Sequence, residues 1–220
     1  MPAPYWDPDW NKLKKKEIAT TGEILTWVEY STMFSNVTFF IFGPLMMFLM
    51  HPYVQKRSRY IYVIFFLFTV VGLFSVYFHM TLSFLGQMLD EIAILWLLAS
   101  GYSIWMPRCY FPAFLGDNRT SNKELRHLIE VTMVLWAFAF TSWISDRLLC
   151  SFWQWINFSY LHSIWHVLIS ITFPYGIVTM AMADATYEMP DKTLKVCYWP
   201  RDTWPMGLPY VEMSDDNKSC

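Results

Sequence analysis

The chain has 220 residues, of which 55% are hydrophobic, 20% aromatic and only 15% charged, with a formal net charge of −2. A soluble domain carries nearer ~25% charged residues, and no basic patch interleaved with aromatics is present to favour nucleic acid. The four cysteines, Cys109, Cys150, Cys197 and Cys220, show no CxxC spacing, so neither a zinc ribbon nor a disulfide scaffold is indicated.

In chain order, residues 1–30 form an extramembrane segment, 31–183 a membrane bundle and 184–220 a cytosolic tail. The opening MPAPYWDPDWNKLKKKE lacks the apolar core and cleavage site of a signal peptide, so the first span is expected to direct insertion. Five runs reach the ~20 apolar residues that cross a bilayer. They are STMFSNVTFFIFGPLMMFLM (31–50), RYIYVIFFLFTVVGLFSVYFHM (59–80), MLDEIAILWLLASGYSIWM (88–106), HLIEVTMVLWAFAFTSWIS (127–145) and YLHSIWHVLISITFPYGIVTMAM (160–182). A soluble helical bundle would need a polar face on each run, and the second and fifth have none. The expected fold is an all-α polytopic transmembrane bundle of five spans.

Lys and Arg set its orientation. Five lie on the amino-terminal side (Lys12, Lys14, Lys15, Lys16 and Arg147) and eleven on the other, among them Lys56, Arg57, Arg59, Arg126 and Lys195. The amino terminus is therefore expected in the lumen and the carboxyl terminus in the cytosol. The N-x-S/T triplets at Asn36, Asn118, Asn157 and Asn217 are expected to stay unglycosylated.

This topology brings ionisable groups to one membrane depth. Ser75 and His79 end the second span, Asp90 and Glu91 begin the third, Asp146 follows the fourth, and His162 and His166 begin the fifth. Such residues are costly in lipid, which makes them candidates for function. HSIWH places two imidazoles four apart on one helix face; with His79 they make the three-nitrogen set of an open zinc site. His51 and His127 fall at the opposite end and read as interfacial. A water on such a metal needs a base and a donor for the developing oxyanion. Asp90 and Ser75 lie at that depth. Glu91 faces about 100° away from Asp90, so only one of the acids can serve. Asp90 capping the third helix, and Ser75 bonded to a carbonyl one turn back, are the plainer alternatives.

SVYFHMTLSFLGQMLDE, WISDR and YLHSIWH resemble the signature blocks of the alkaline ceramidases. The resemblance implies an integral amidohydrolase of the endoplasmic reticulum membrane that cleaves ceramide to sphingosine and a fatty acid. It implies zinc on His79, His162 and His166, an acid at Asp90, a catalytic serine at Ser75 and a supporting carboxylate at Asp146. The resemblance implies seven spans, of which two are expected to be missing between FLGDNR and TSNKELRH, a loss that leaves the orientation downstream unchanged. The family also binds calcium near its amino terminus. Glu29 matches one ligand, but Lys12 and Lys14 stand where oxygen ligands belong and would repel the cation. Two rivals follow: an inactive shortened product, and a receptor, since adiponectin-receptor-like proteins resemble the same blocks but have the opposite orientation.

Overall fold

The structure is a computed structural model that describes residues 31–105, 123–156, 158, 160–189, 193–202 and 207–214. Its helices are α1 (Val37–Leu49), α2 (His51–Arg57), α3 (Ile61–Thr81), α4 (Phe84–Trp105), α5 (Lys123–Leu148), α6 (Cys150–Trp155) and α7 (Leu161–Glu188). Two strands follow, β1 (Thr193–Trp199) and β2 (Leu208–Ser214), paired antiparallel with Val196 opposite Val211. Five helical stretches are long and apolar enough to span a membrane: Ser31–Leu49, Ile61–Thr81, Phe84–Trp105, Lys123–Leu148 and Leu161–Ala185. Each overlaps one predicted run, and the architecture is the expected all-α polytopic bundle.

The spans differ in how they are packed. Inside the bundle, 56% of the α7 span and 44% of the α3 span are buried, against 17% for α4 and 11% for α5. So α3 and α7 form the centre with α1, while α4 and α5 present most of their apolar surface outward, as lipid-facing helices do. Close approach of α1 to α3 requires Gly72: a Cβ there would lie 2.6 Å from Phe39 Cβ. Between α5 and α7 the hydroxyls of Thr132 and Thr179 meet at 3.1 Å, and Thr179 donates back to the Tyr175 carbonyl.

The α3–α4 turn positions the two helices that carry Ser75, His79 and Asp90. Leu82 takes a left-handed φ of 48° and returns its N–H to the Phe78 carbonyl, closing α3. Ser83 Oγ then accepts the Gly86 N–H at 3.0 Å, the N-cap arrangement. Gly86 has no room for a side chain, since a Cβ would sit 2.9 Å from Phe78 Cα. Asp90 lies in the second turn of α4, so the capping role that the sequence left open for it belongs to Ser83.

At the opposite end a saturated polar cluster ties α2, α4 and α7 together. Arg57 donates to both oxygens of Asp184, at 2.7 and 3.0 Å. Tyr53 donates its hydroxyl to Asp184 at 3.1 Å and accepts the Trp105 indole N–H at 3.3 Å. Burial and the Asp184 charge hold the Tyr53 phenol well above its ordinary pKa, so it remains a donor. The hairpin packs at this end, with Val196, Leu208 and Val211 buried and the Tyr175 hydroxyl bonded to the Gly207 carbonyl at 2.8 Å. The sequence reading placed 184–220 outside the bundle as a tail; α7 runs on to Glu188, and Asp184 is a packing residue of the bundle itself.

Candidate metal centre and active site

α3 and α7 bring His79, His162 and His166 together. One nitrogen from each ring lies within 4.8 Å of the others. Ring centroids are 5.3 Å apart for His79–His162, 5.4 Å for His79–His166 and 4.8 Å for His162–His166. His79 and His166 are buried and His162 is half-buried, so the cluster opens on the His162 side. For comparison, ligand nitrogens on a tetrahedral zinc with bonds of ~2.1 Å stand about 3.4 Å apart. The observed spread encloses that arrangement.

Two of the rings are held from behind. Asp146 Oδ2 lies 3.4 Å from His162 Nδ1. Ser35 Oγ lies 3.1 Å from His166 Nδ1. Outer partners on Nδ1 leave Nε2 of each ring as the inward atom, the arrangement found where histidines carry a metal. Three converging imidazoles, two of them supported on their outer nitrogens, are the donor set that zinc takes, so the residues fit the ion.

Asp90 and Ser75, the acid and the hydroxyl expected at this depth, lie on α4 and α3. Asp90 is half-buried and within electrostatic reach of His162. Glu91 is exposed, and its carboxylate accepts a 3.0 Å hydrogen bond from Gln87 Nε2. Ser75 is 3% exposed, one turn before His79 on α3. Among the described residues its Oγ has no hydrogen-bond partner, so the bond to a carbonyl one turn back is not made. A buried hydroxyl left unsatisfied costs on the order of 1–3 kcal/mol, which points to a role beyond packing. His51 and His127 are exposed, and neither belongs to the cluster. Glu29, Lys12 and Lys14 lie outside the described residues.

Sequence reasoning missed Ser35, Thr32 and Ser163. Thr32 and Ser31 place their hydroxyls 3.1 and 2.7 Å from that of Ser163, fastening the start of the first span to α7 beside the histidines. The signal was a run of small polar residues, STMFSN, at the head of an otherwise apolar span.

Five helices long and apolar enough to cross a membrane, with a clustered histidine triad between them, mark a multi-pass membrane protein. The chain belongs to the alkaline ceramidase family of hydrolases. The family described as Ceramidase matches residues 25–117 and again 115–212. Alkaline ceramidase 1 of Homo sapiens is 64% identical over 87% of this chain and 90% of its own length. For alkaline ceramidase 1 of Mus musculus the identity is 58%, over 87% of each chain. Alkaline ceramidase of Drosophila melanogaster is 30% identical over 87% of this chain and 84% of its own length. No solved structure matches the chain.

The alignment to the human relative runs over 238 positions, whereas 87% of 220 residues is about 191, so about 47 positions have no counterpart here. The family match restarts at residue 115, between α4 and α5. A gap of that size is two spans of ~20 residues with a connection, in keeping with the two-helix shortfall expected from the sequence.

Proposed function

We propose that the chain is a zinc-dependent amidohydrolase working inside the membrane, which cleaves the amide bond of ceramide to give sphingosine and a free fatty acid. The observation that carries this reading is the convergence of His79, His162 and His166, two of them backed by Asp146 and Ser35. Zinc on these imidazoles would supply Lewis-acid polarisation and lower the pKa of a water in the open fourth position towards ~7.

The chain's own groups divide the remaining work. Asp90 takes a proton from the attacking water and returns it to the departing nitrogen, so that oxygen joins the carbonyl carbon as the C–N bond breaks. Ser75 donates its uncommitted hydrogen to the amide oxygen as negative charge builds there. Asp146 and Ser35 hold two rings in place throughout.

Turnover of a fluorescent ceramide by the purified protein, paired with elemental analysis for zinc, tests this reading. Chelation should abolish turnover and zinc should restore it, and His162→Ala should lose the metal. Full zinc occupancy in His162→Ala would overturn the assignment. A second reading is favoured by the positions missing between α4 and α5: a shortened, inactive product. Zinc-loaded protein without turnover would select it.

The proposed setting is the endoplasmic reticulum membrane, with the histidine end lumenal and the hairpin end cytosolic, supported by the excess of Lys and Arg on the hairpin side. A tag on the carboxyl terminus should be cleaved when intact microsomes are treated with protease. Calcium is proposed to be dispensable, because Lys12 and Lys14 oppose its binding near Glu29. Removal of calcium with zinc kept saturating should leave turnover intact; loss of turnover would mean a calcium site rebuilt around Glu29.

A further inference from the structure

We propose that Ser35 is a positioning residue: it holds the His166 imidazole with its hydrogen on Nδ1, turned towards the first span, so that Nε2 faces His79 and His162 with its lone pair available. The inference rests on the zinc reading of the triad and adds to it the residue that sets the state of one ligand.

The hydrogen-bond directions follow from the donors on hand. The Ser35 hydroxyl donates to the Thr32 carbonyl at 2.6 Å. With its hydrogen used there, Ser35 Oγ meets His166 Nδ1 as an acceptor, at 3.1 Å. A hydroxyl whose hydrogen is committed elsewhere can only accept, so this contact calls for a hydrogen on Nδ1. The neutral imidazole then has its basic nitrogen on the other side. His166 is 1% exposed, so water does not compete for this arrangement.

A local irregularity of the first span makes the carbonyl available. Regular helix runs from Ser31 to Ser35, is interrupted at Asn36 and resumes at Val37. The Asn36 N–H reaches back three residues to the Met33 carbonyl at 3.2 Å, instead of four to Thr32. Side chains take the Thr32 oxygen in its place: the Ser35 hydroxyl, and Asn36 Nδ2 at 3.0 Å. Tightened turns of this kind inside a helix often mark functional positions. The same turn is pinned to α7 through Ser163, three residues before His166, by the hydroxyls of Ser31 and Thr32. The first span thus carries a rigid acceptor to the back of one ring.

The test uses the full chain in detergent, with zinc affinity measured by competition against a chelator. Ser35→Ala should bind zinc about 10–100-fold more weakly than the parent, the usual effect of removing an outer partner of a ligating histidine. Ser35→Val should behave like Ser35→Ala, and Ser35→Thr, of the same volume as Val but with the hydroxyl, should stay close to the parent. Parent-like affinity in Ser35→Ala and Ser35→Val, or Ser35→Thr as weak as Ser35→Val, would overturn the proposal. A parent that binds no zinc defeats the zinc reading instead. In that case, or if the variants do not fold, nitrogen-15 NMR of the metal-free parent decides: hydrogen on His166 Nδ1 supports the role of Ser35, and hydrogen on Nε2 ends it.

Discussion

The two ends of the bundle each bury a polar cluster in an apolar surround, and they solve the problem in opposite ways. At the hairpin end, Asp184 has a fully buried side chain, and its two oxygens accept from Arg57 and Tyr53, while Tyr53 in turn accepts from Trp105. At the histidine end, His162 and His166 are held on their Nδ1 atoms by Asp146 and Ser35, Ser75 Oγ has no partner among the described residues, and one nitrogen from each of three rings crowds together. Unmet hydrogen-bonding capacity is expensive in the interior, and it is concentrated where chemistry is proposed. A cluster whose bonds close on themselves holds helices together; one whose ring nitrogens converge on a common point is suited to hold something brought to it. Variants at the first should therefore move stability and spare turnover per folded molecule. Variants at the second should do the reverse.

The largest expected effect is at Asp90. Asp90→Asn keeps the shape of the side chain and removes the base, so ceramide turnover should fall roughly 10²–10⁴-fold. Zinc content and melting temperature should stay near those of the parent. Glu91→Gln is the internal control, because Glu91 is exposed and bonded to Gln87. Normal turnover in Asp90→Asn with an inactive Glu91→Gln would reverse the assignment of the two acids.

Next comes the ion pair at the other end. Arg57→Met strands the Asp184 carboxylate in the interior, and breaking a buried pair in this way costs about 3–5 kcal/mol. The melting temperature should drop steeply, with turnover per folded molecule unchanged. Arg57→Met combined with Asp184→Leu removes both charges and should recover most of the loss, since well-packed apolar replacements of buried pairs are often neutral. A double variant no more stable than Arg57→Met alone would mean that the pair does more than satisfy itself.

Ser75→Ala separates the two ends most directly. Removing an oxyanion donor typically costs ~10²–10³ in turnover. Yet the hydroxyl makes no hydrogen bond among the described residues, so its loss should leave the melting temperature unchanged or slightly raised. A clear drop in stability with normal turnover would move Ser75 from the site to the packing.

Much of this contrast was readable from the chain. The spans followed from apolar length alone, and His79, His162 and His166 followed from their common depth once the spans were ordered. Ser35 was not readable, because a serine near the head of a span is an ordinary residue until the fold sets it 131 positions away against His166. Asp184 was missed for a different reason: it follows the last apolar run, so its position read as the start of a tail. Its partners, 127 and 131 positions away, are what make it internal. The strands TLKVCYW and LPYVEMS gain their buried face only from the helix ends beneath them. Local patterns carry depth and period; pairings across the chain have no local signature.

The smallest effect is expected at Tyr53, and it probes how far the hairpin-end cluster depends on any one bond. Tyr53→Phe removes the hydroxyl that donates to Asp184 and accepts from the Trp105 indole. Asp184 keeps both bonds to Arg57, so its charge remains compensated. The indole N–H is the group left unpaired, and a lost neutral hydrogen bond of this kind costs about 1 kcal/mol. The melting temperature should fall by a few degrees, far less than for Arg57→Met, with zinc binding and turnover untouched. Because the two substitutions act on one network, their costs should not add: in the Arg57→Met background the Tyr53 hydroxyl is the remaining donor to a stranded carboxylate. Tyr53→Phe should be markedly more costly there than alone. Equal cost in both backgrounds would show that Tyr53 and Arg57 support Asp184 independently, and that this end of the bundle is a set of separate contacts instead of a single closed cluster.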